Sequence, residues 1–345
     1  MQLQSTLTVS GSAIDGNSAG EDGGGSYAIS SSVDMMEDAS LSGNMAASRG
    51  GGLCLQTSTL TVSGSAIDGN SAGGNGGGSC AISSSAVNLR EGASVSGNTA
   101  TTSGGGLYLQ ESTLTVGRSA IDGNSAGRDG GGVHARTSST VTLGDGTLVS
   151  RNTARGSGGG LGLLTSSSLA TAGSVSLFGN AAIGTGSIGG GIAASTSTVR
   201  LGSGDTDLSN NTAAVDGGAL ALIDGSTLSD SGDADLGCLL TVRHNTAESG
   251  NGGGIAVSGD SSVALGVSTA VFSQNTAAQH GGSGGGLFIG AGPVEFDSSK
   301  AMAFTVAKVT FWRLNLVDNA SPTGDGGGVC AVAVGVVFSN AYDRV

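Results

Sequence analysis

Proline, aromatic residues and charge are all scarce in this sequence. Its 345 residues include 2 prolines, and only 3% are aromatic and 11% charged. Scarce proline and scarce charge argue against a disordered low-complexity chain, although glycine is abundant at 67 residues. Aliphatic residues recur between the glycines, so apolar surface becomes available for burial once neighbouring repeats stack.

Basic residues and long apolar runs are also lacking. Thirteen lysines and arginines stand against 26 acidic residues, for a formal net charge of −13, which argues against nucleic-acid and anionic-membrane partners. The longest apolar stretch, 329–338, is too short to span a bilayer and is typical of a strand. The first four residues do not open a signal peptide, so we expect either another export route or a start further upstream.

Cysteine and histidine are too few and too scattered for a recognisable metal site. Cys54, Cys80, Cys238 and Cys330 form no Cys-x-x-Cys pair. His134, His244 and His280 lack a cysteine or histidine at zinc-ligand spacing and are predicted to be isolated surface or turn residues. The sequence therefore predicts no metal site and no cofactor.

Two landmarks recur in fixed order along the chain. The first is an asparagine, mostly in the pattern Asn-x-Ala, at Asn17, Asn44, Asn70, Asn98, Asn124, Asn152, Asn180, Asn211, Asn245, Asn275 and Asn319. The second is a glycine cluster about six residues later, which begins at Gly23, Gly50, Gly76, Gly104, Gly130, Gly158, Gly189, Gly217, Gly252, Gly284 and Gly326. This spacing is typical of one coil of a solenoid.

Alternating apolar residues predict three strands per repeat. One run follows each glycine cluster, as at Leu107 and Leu109; a second resembles Thr59 to Val62; a third lies three residues before the asparagine, as at Ile121. Equivalent residues are chemically alike, which favours parallel, in-register stacking. We predict an all-β, right-handed, three-faced parallel β-helix (a solenoid) of about eleven coils.

The whole chain, 1–345, is predicted to be a single β-helix. Residues 5–160 hold the most regular repeats, and STLTVSGSAIDGNSAG occurs both at Ser5 and at Ser58. Residues 161–328 are expected to hold diverged repeats with longer loops, and 329–345 a C-terminal end or cap.

The recurrent asparagines are predicted to form a structural ladder, with side-chain amides that donate to and accept from the coils above and below. Their tolerance of bends is a second structural explanation, and a ligand role is a third. The glycine clusters do not continue as a phosphate-binding loop, so they are interpreted as turns that need positive φ.

The pairing of these landmarks resembles the repeats of chlamydial polymorphic outer-membrane proteins. That family uses Phe-x-x-Asn, matched here by Phe272 and Asn275, and Gly-Gly-Ala-Ile, most nearly matched by Gly217 to Leu220. Most copies have an aliphatic residue for Phe and a third Gly for Ala. The resemblance implies a pectate-lyase-like β-helix and an adhesin-type role; we do not expect a counterpart of the family's C-terminal membrane barrel within this sequence.

A row of large residues is expected to face outward from the strand after each glycine cluster. Its members are Tyr27, Cys54, Cys80, Tyr108 and His134. Exposed, the row could bind a glycan or a cell-surface protein; alternatively, a loop covers it. Cys54 and Cys80 are expected to be direct neighbours in adjacent coils, and we hypothesise a disulfide between them in an exported form, with Cys238 and Cys330 not bonded to each other.

Two acidic rows recur along the chain, and the first is the weak argument for an enzyme. Asp15, Asp68 and Asp122 recur in alternate coils, about 10 Å apart by strand spacing, and could be a solvated edge, a weak cation site or a catalytic set. A second row, Asp22, Asp129, Asp216 and Asp325, lies beside the glycine clusters. Thr59 and Thr61 suggest an ice-binding array, but Asp34 and Asn88 interrupt it.

The sequence thus favours a noncatalytic extracellular or cell-surface β-helix, adhesin-like or structural, with no catalytic residues assigned. The alternative is a polysaccharide lyase or hydrolase of the pectate-lyase fold.

Overall fold

The computed structural model describes residues 5–230, 239–277, 282–290, 308–332 and 335–338. Its regular elements over these ranges are all β-strands. Glycine and β-branched residues in every repeat explain this, because both disfavour helix. No described helix is long and apolar enough to cross a membrane.

The strands stack into a parallel β-solenoid of about ten turns, which confirms the predicted fold class. Each regular turn has four strands, one more than the sequence predicted, and every pairing joins a strand to its equivalent in the next turn in parallel. We call the four stacks sheets 1 to 4, in their order after the glycine cluster. The extra strand has only two residues, which is too short to show alternation in the sequence.

Sheet 1 begins directly after each glycine cluster. Its eleven strands are Ser26–Ile29, Leu53–Gln56, Ser79–Ile82, Leu107–Gln110, Val133–Arg136, Leu161–Leu164, Ile192–Ser195, Leu220–Ile223, Ile255–Val257, Leu287–Gly290 and Val329–Val332. Sheet 2 follows it within each turn. Its strands are Thr6–Ser10, Ser32–Met36, Thr59–Ser63, Ala86–Arg90, Thr113–Val116, Thr140–Gly144, Ser168–Ala172, Thr198–Leu201, Thr227–Asp230 and Gly335–Phe338.

Sheet 3 precedes the asparagines. Its strands are Ala13–Asp15, Ser40–Ser42, Ala66–Asp68, Ser94–Ser96, Ala120–Asp122, Thr147–Ser150, Val175–Phe178, Thr206–Ser209 and Leu239–Arg243. Two long strands, Ser262–Ser273 and Lys308–Val317, run through both sheets 2 and 3 and join them.

Sheet 4 is the additional stack, and it follows the asparagines. Its ten strands are Ser18–Ala19, Met45–Ala46, Ser71–Ala72, Thr99–Ala100, Ser125–Ala126, Thr153–Ala154, Ala181–Ala182, Thr212–Ala213, Thr246–Ala247 and Thr276–Ala277.

A single apolar core runs along the inside of the solenoid, from Val9 to Ile289. The residues predicted to point inward from sheet 1 are all at most 1% exposed: Leu53, Leu55, Leu107, Leu109, Ile255 and Leu287. Sheets 2 and 3 contribute Leu60 and Ile121 in the same way. Each turn therefore buries apolar side chains against the turns above and below, and this burial holds the stack together.

The later repeats keep the same strands although their spacing grows. Asn180, Asn211 and Asn245 stay in register despite intervals of 31 and 34 residues. The segments 231–238 and 291–307 lie outside the described residues, so the longer loops expected in 161–328 and the end predicted at 329–345 remain predictions.

Candidate functional site

The eleven recurrent asparagines lie in one hydrogen-bonded file between sheets 3 and 4. Each side-chain Nδ2 donates to the Oδ1 of the asparagine in the next turn, from Asn17 through to Asn319. From Asn44 to Asn275 the side chains are at most 1% exposed. A parallel stack with equal turns brings identical residues together in this way.

Within the file, from Asn44 to Asn275, each amide is fully used. Asn124 Nδ2 donates to Asn152 Oδ1 and to the carbonyl of Val95, both at 2.9 Å. Its Oδ1 accepts the backbone N–H and the Nδ2 of Asn98, both at 3.0 Å. Because an amide offers two donors and two acceptor positions, no capacity is left for a ligand at this position.

The first glycine of each cluster lies in a turn with positive φ, and it lies close to the strand of sheet 1 that follows it. Gly130 has φ +67°, and a Cβ there would lie 2.7 Å from His134 Cβ. The second glycine meets a different constraint, because a Cβ on Gly131 would lie 2.3 Å from the carbonyl oxygen of Gly159 in the next turn. The clusters are therefore required by contact between turns as well as by positive φ.

That close approach places each glycine cluster, with the residues directly before it, over the outer face of sheet 1. We call these stretches the covering glycine segments. Of the predicted outward row, Tyr27 is 44% exposed, but Cys54 and Cys80 are fully buried and Tyr108 and His134 are 4% exposed. The first alternative, an exposed row, is therefore wrong for four of the five residues. Cys54, Cys80, Ile82 and Tyr108 form a second apolar cluster, separate from the main core. The alternative that a loop covers the row is the one the structure has.

Cys54 and Cys80 are direct neighbours in register, as predicted from their equal offsets. Both thiols are free, and so is Cys330, while Cys238 lies outside the described residues. A hydrogen bond with Cys54, together with burial, raises the pKa of the Cys80 thiol well above its ordinary value. A thiol held protonated and away from water reacts slowly, so the folded chain protects Cys80 from exchange.

Tyr108 and His134 continue the row and stack on each other. Their ring centroids lie 5.6 Å apart with an interplanar angle of 11°. Burial lowers the pKa of His134 to about 4; Asp129 opposes the shift, while the charges of Arg136 and Arg128 reinforce it. The imidazole is therefore neutral at physiological pH, and its buried Nδ1 has no hydrogen-bond partner.

A cleft of about 320 Å³ opens beside this stack. It lies between the covering segments and the ends of the sheet 1 strands. Its lining includes Asn75, Thr102, Tyr108, Asp129, His134 and Arg136. Three consecutive turns supply these side chains, so the cleft depends on residues that differ from one repeat to the next.

The first acidic row is engaged within the solenoid. Asp15, Asp68 and Asp122 accept hydrogen bonds from Ser42, Ser96 and Ser150 in the following turns, at 3.1, 2.9 and 2.6 Å. Asp122 also pairs with Arg151, and the hydrogen bond from Arg151 lowers the pKa of this carboxyl. The three carboxylates thus lie at a hydrogen-bonded edge.

The second acidic row cross-links the covering segments, a role that the sequence analysis missed. Asp22, Asp129 and Asp216 accept the backbone N–H that precedes the next glycine cluster, from Arg49, Ser157 and Asn251 at 2.9, 2.8 and 2.6 Å. Asn75 and Asn251 accept the equivalent N–H of Ser103 and Ser283, at 3.1 and 2.9 Å. The signal in the sequence is the aspartate or asparagine directly before the glycine cluster.

Burial and hydrogen bonding act on these aspartates in opposite directions. At Asp216 burial dominates and raises the carboxyl pKa. At Asp22 burial also acts to raise the pKa, but hydrogen bonds from Arg49 outweigh it and lower the value. The remaining predicted residues do not converge with them. His244 is at a turn with φ 54°, and His280 lies outside the described residues. The backbone N–H of Asp325 donates to Ser283 Oγ at 3.2 Å. Among the described residues no group of three or more His, Cys, Asp or Glu side chains could hold a metal ion.

Comparison with known proteins gives no family for the chain. No family model matches it, and no curated protein matches it. Among solved structures it is similar to the TibC-catalysed hyper-glycosylated fragment 55–350 of TibA, at 15% sequence identity. That match covers 96% of this chain and 98% of the fragment, with a TM-score of 0.19. The resemblance to chlamydial repeats therefore stays an interpretation of the motifs.

Proposed function

We propose that this chain is a noncatalytic β-solenoid that acts outside the cell or at its surface, as an adhesin-like or structural module. The observation that carries the proposal is the division of labour among its polar residues. Those that repeat, such as Asn124 and Asp129, are engaged in hydrogen bonds between turns. Those that vary, such as Tyr108, His134 and Arg136, lie on or near the covered outer face of sheet 1.

This division suits a rod whose constant scaffold lets single positions at its outer face vary, including the exposed side chains of Tyr27 and Arg136. Solenoids commonly use extended surfaces built from successive repeats for binding. The motif resemblance supports an adhesin-type role. The net charge of −13 favours a glycan or protein partner over an anionic membrane surface.

Two assays on the purified full chain test the proposal. We expect binding to a glycan array or to intact cells, and no turnover of uronic-acid polymers in reducing-sugar and lyase-absorbance screens. Turnover that Asp122→Asn abolishes, while Asp15→Asn leaves it intact, would establish the polysaccharide-cleaving alternative. Antibody labelling and protease shaving of intact producing cells test the location, and a chain protected until lysis would overturn it.

A further inference from the structure

The pair Cys54 and Cys80 lies on the outer face of two neighbouring strands of sheet 1. Each is the second residue of its strand, and the two are direct partners in the parallel register. Neighbouring strands lie about 4.8 Å apart, which is within the Cα separation of roughly 4.4–6.8 Å that a disulfide requires. The thiol of Cys80 is also close enough to hydrogen-bond with that of Cys54. Adjacent turns therefore bring two thiols together.

Packing encloses this pair completely. Both side chains are 0% exposed and share an apolar cluster with Ile82 and Tyr108. A covering glycine segment lies directly on them, because a Cβ on Gly50 would lie 2.9 Å from Cys54 Cβ. This contact leaves no room for a reagent between the cover and the thiol. In the unfolded chain the same thiols are open to solvent, so a reagent in solution reaches them before the cover closes and not afterwards.

A third cysteine in the same row lacks this arrangement. Cys330 is also the second residue of a sheet 1 strand, but its partner in the preceding turn is Phe288 and its side chain is half-buried. It shares the position within the repeat without a thiol to face it. Cys330 is therefore a control that the chain itself supplies.

We propose that Cys54 and Cys80 are a covalent cross-link site, and that the disulfide forms while the chain folds, by exchange with a small disulfide oxidant such as oxidised glutathione. The thiolate of one cysteine attacks the oxidant, releases one reduced thiol and leaves a mixed disulfide. The second cysteine attacks the mixed disulfide and releases the other reduced thiol. The S–S bond of the oxidant breaks and the S–S bond between the turns forms. Two electrons and the two cysteine protons pass to the released thiols.

The bond closes a loop that is one turn of the solenoid long. It restricts the unfolded chain and joins two turns that are otherwise held by noncovalent contacts. A disulfide needs no more space than the two thiols it replaces, so the covering glycine segment closes over it and shields it from reduction. Compartments through which proteins are exported favour such bonds. The cross-link goes beyond the proposed function, since it does not depend on what the solenoid binds.

Refolding tests both the site and the order of events. The reduced full chain is unfolded in urea and refolded with oxidised glutathione, while a second sample is refolded first and receives the same oxidant afterwards. Free thiols are then blocked with N-ethylmaleimide in urea. Cleavage before Asp68, the only acidic residue between the two cysteines, separates them unless they are bonded.

Mass spectrometry should find the linked peptides in the first sample, and at least about tenfold less of them in the second after the same time. Cys330 should be blocked or carry glutathione in both samples. Free Cys54 and Cys80 in the first sample would overturn the cross-link. Equal linkage in the two samples would overturn the protection by the cover, and a bond from either residue to Cys330 would overturn the register argument.

Cysteine variants connect the bond to stability. The thermal unfolding midpoint of the oxidised chain should lie at least about 5 °C above that of the reduced chain. Cys330→Ser should keep this difference, whereas Cys54→Ala and Cys80→Ala should each remove it. Each variant is compared with its own reduced form, so any destabilisation by the substitution itself cancels. A difference that persists in Cys54→Ala would assign the effect to another pair, and no difference in the unaltered chain would overturn the stabilising role of the cross-link.

Discussion

The inner and outer faces of sheet 1 belong to the same strands and differ in how much they vary. The inner face mostly repeats Leu, Ile, Val or Ala from turn to turn and packs into one core. The outer face changes from Tyr27 through Cys54, Cys80 and Tyr108 to His134, although four of these five are also buried. The inner face is constrained by its own equivalent residues above and below. The outer face is constrained by the glycine segment that covers it, which tolerates a different side chain in each turn.

The largest expected effect comes from a charge on the inner face. Leu107→Asp should prevent folding, because it would bury an unpaired carboxylate between two turns at a cost above about 5 kcal/mol. Circular dichroism and solubility measure this. Gln110→Asp, at the half-buried end of the same strand, is the control and should fold. A soluble Leu107→Asp chain with an unchanged melting temperature would mean that the inner face is wrongly assigned.

The asparagine file should show a smaller but still large effect, graded by position. Asn124→Ala removes four side-chain hydrogen bonds and should lower the free energy of unfolding by about 4 kcal/mol. Asn17→Ala is the control at the exposed end of the file, where the side chain has one hydrogen bond, and should cost less than about 1 kcal/mol. Urea denaturation compares the two, and equal losses would contradict a role that depends on the buried file.

The outer face should give the solenoid a pH dependence that the inner face cannot. His134 has a pKa of about 4 in the fold and 6.5 when unperturbed, because burial disfavours its charged form. Its contribution is fully present above pH 6.5 and is lost as the pH falls towards 4, with a total near 3 kcal/mol. Asp129 opposes this shift, while Arg128 and Arg136 reinforce it.

Urea denaturation from pH 7 to pH 4 measures the contribution of His134 to the free energy of unfolding. The comparison is with His134→Phe, which keeps a ring in the stack but does not titrate. Carboxyl groups that do not interact with His134 contribute equally to both proteins, so the difference between the proteins isolates His134 and its interaction with Asp129. Parallel stability curves would show that His134 is already solvated in the fold.

Most of the scaffold could be predicted from the sequence because each turn has the same packing and hydrogen-bonding requirements. Leu107 and Asn124 recur at equivalent places, and their packing and hydrogen bonding follow from stacking alone. Sheet 4 was missed because a strand such as Ser125–Ala126 is too short to alternate. The cover over His134 could be named only as one of two alternatives, because a glycine segment has no periodicity and its position depends on a contact such as Gly130 against His134.

The cleft could not be predicted for a related reason. It requires Asn75, Thr102 and Arg136 to meet across three turns. The three stand at different positions within their repeats, so alignment of the repeats does not bring them together.

The smallest expected effect tests what determines the contribution of an outer-face side chain to stability. The two possibilities are burial beneath the covering glycine segment and the type of residue. Tyr27 occupies the same row as Tyr108 but is 44% exposed, and its hydroxyl donates to Gln56 Oε1 at 2.7 Å. Tyr27→Ala should therefore cost about 1 kcal/mol or less. Tyr108→Ala, the matched control at 4% exposure, should cost about 3 kcal/mol, because it removes a packed ring from beneath the glycine segment and from the stack on His134. Urea denaturation at pH 7 measures both variants. Similar losses for the two tyrosines would mean that the covering segment leaves the row open to solvent, and that sheet 1 exposes its outer face along its whole length.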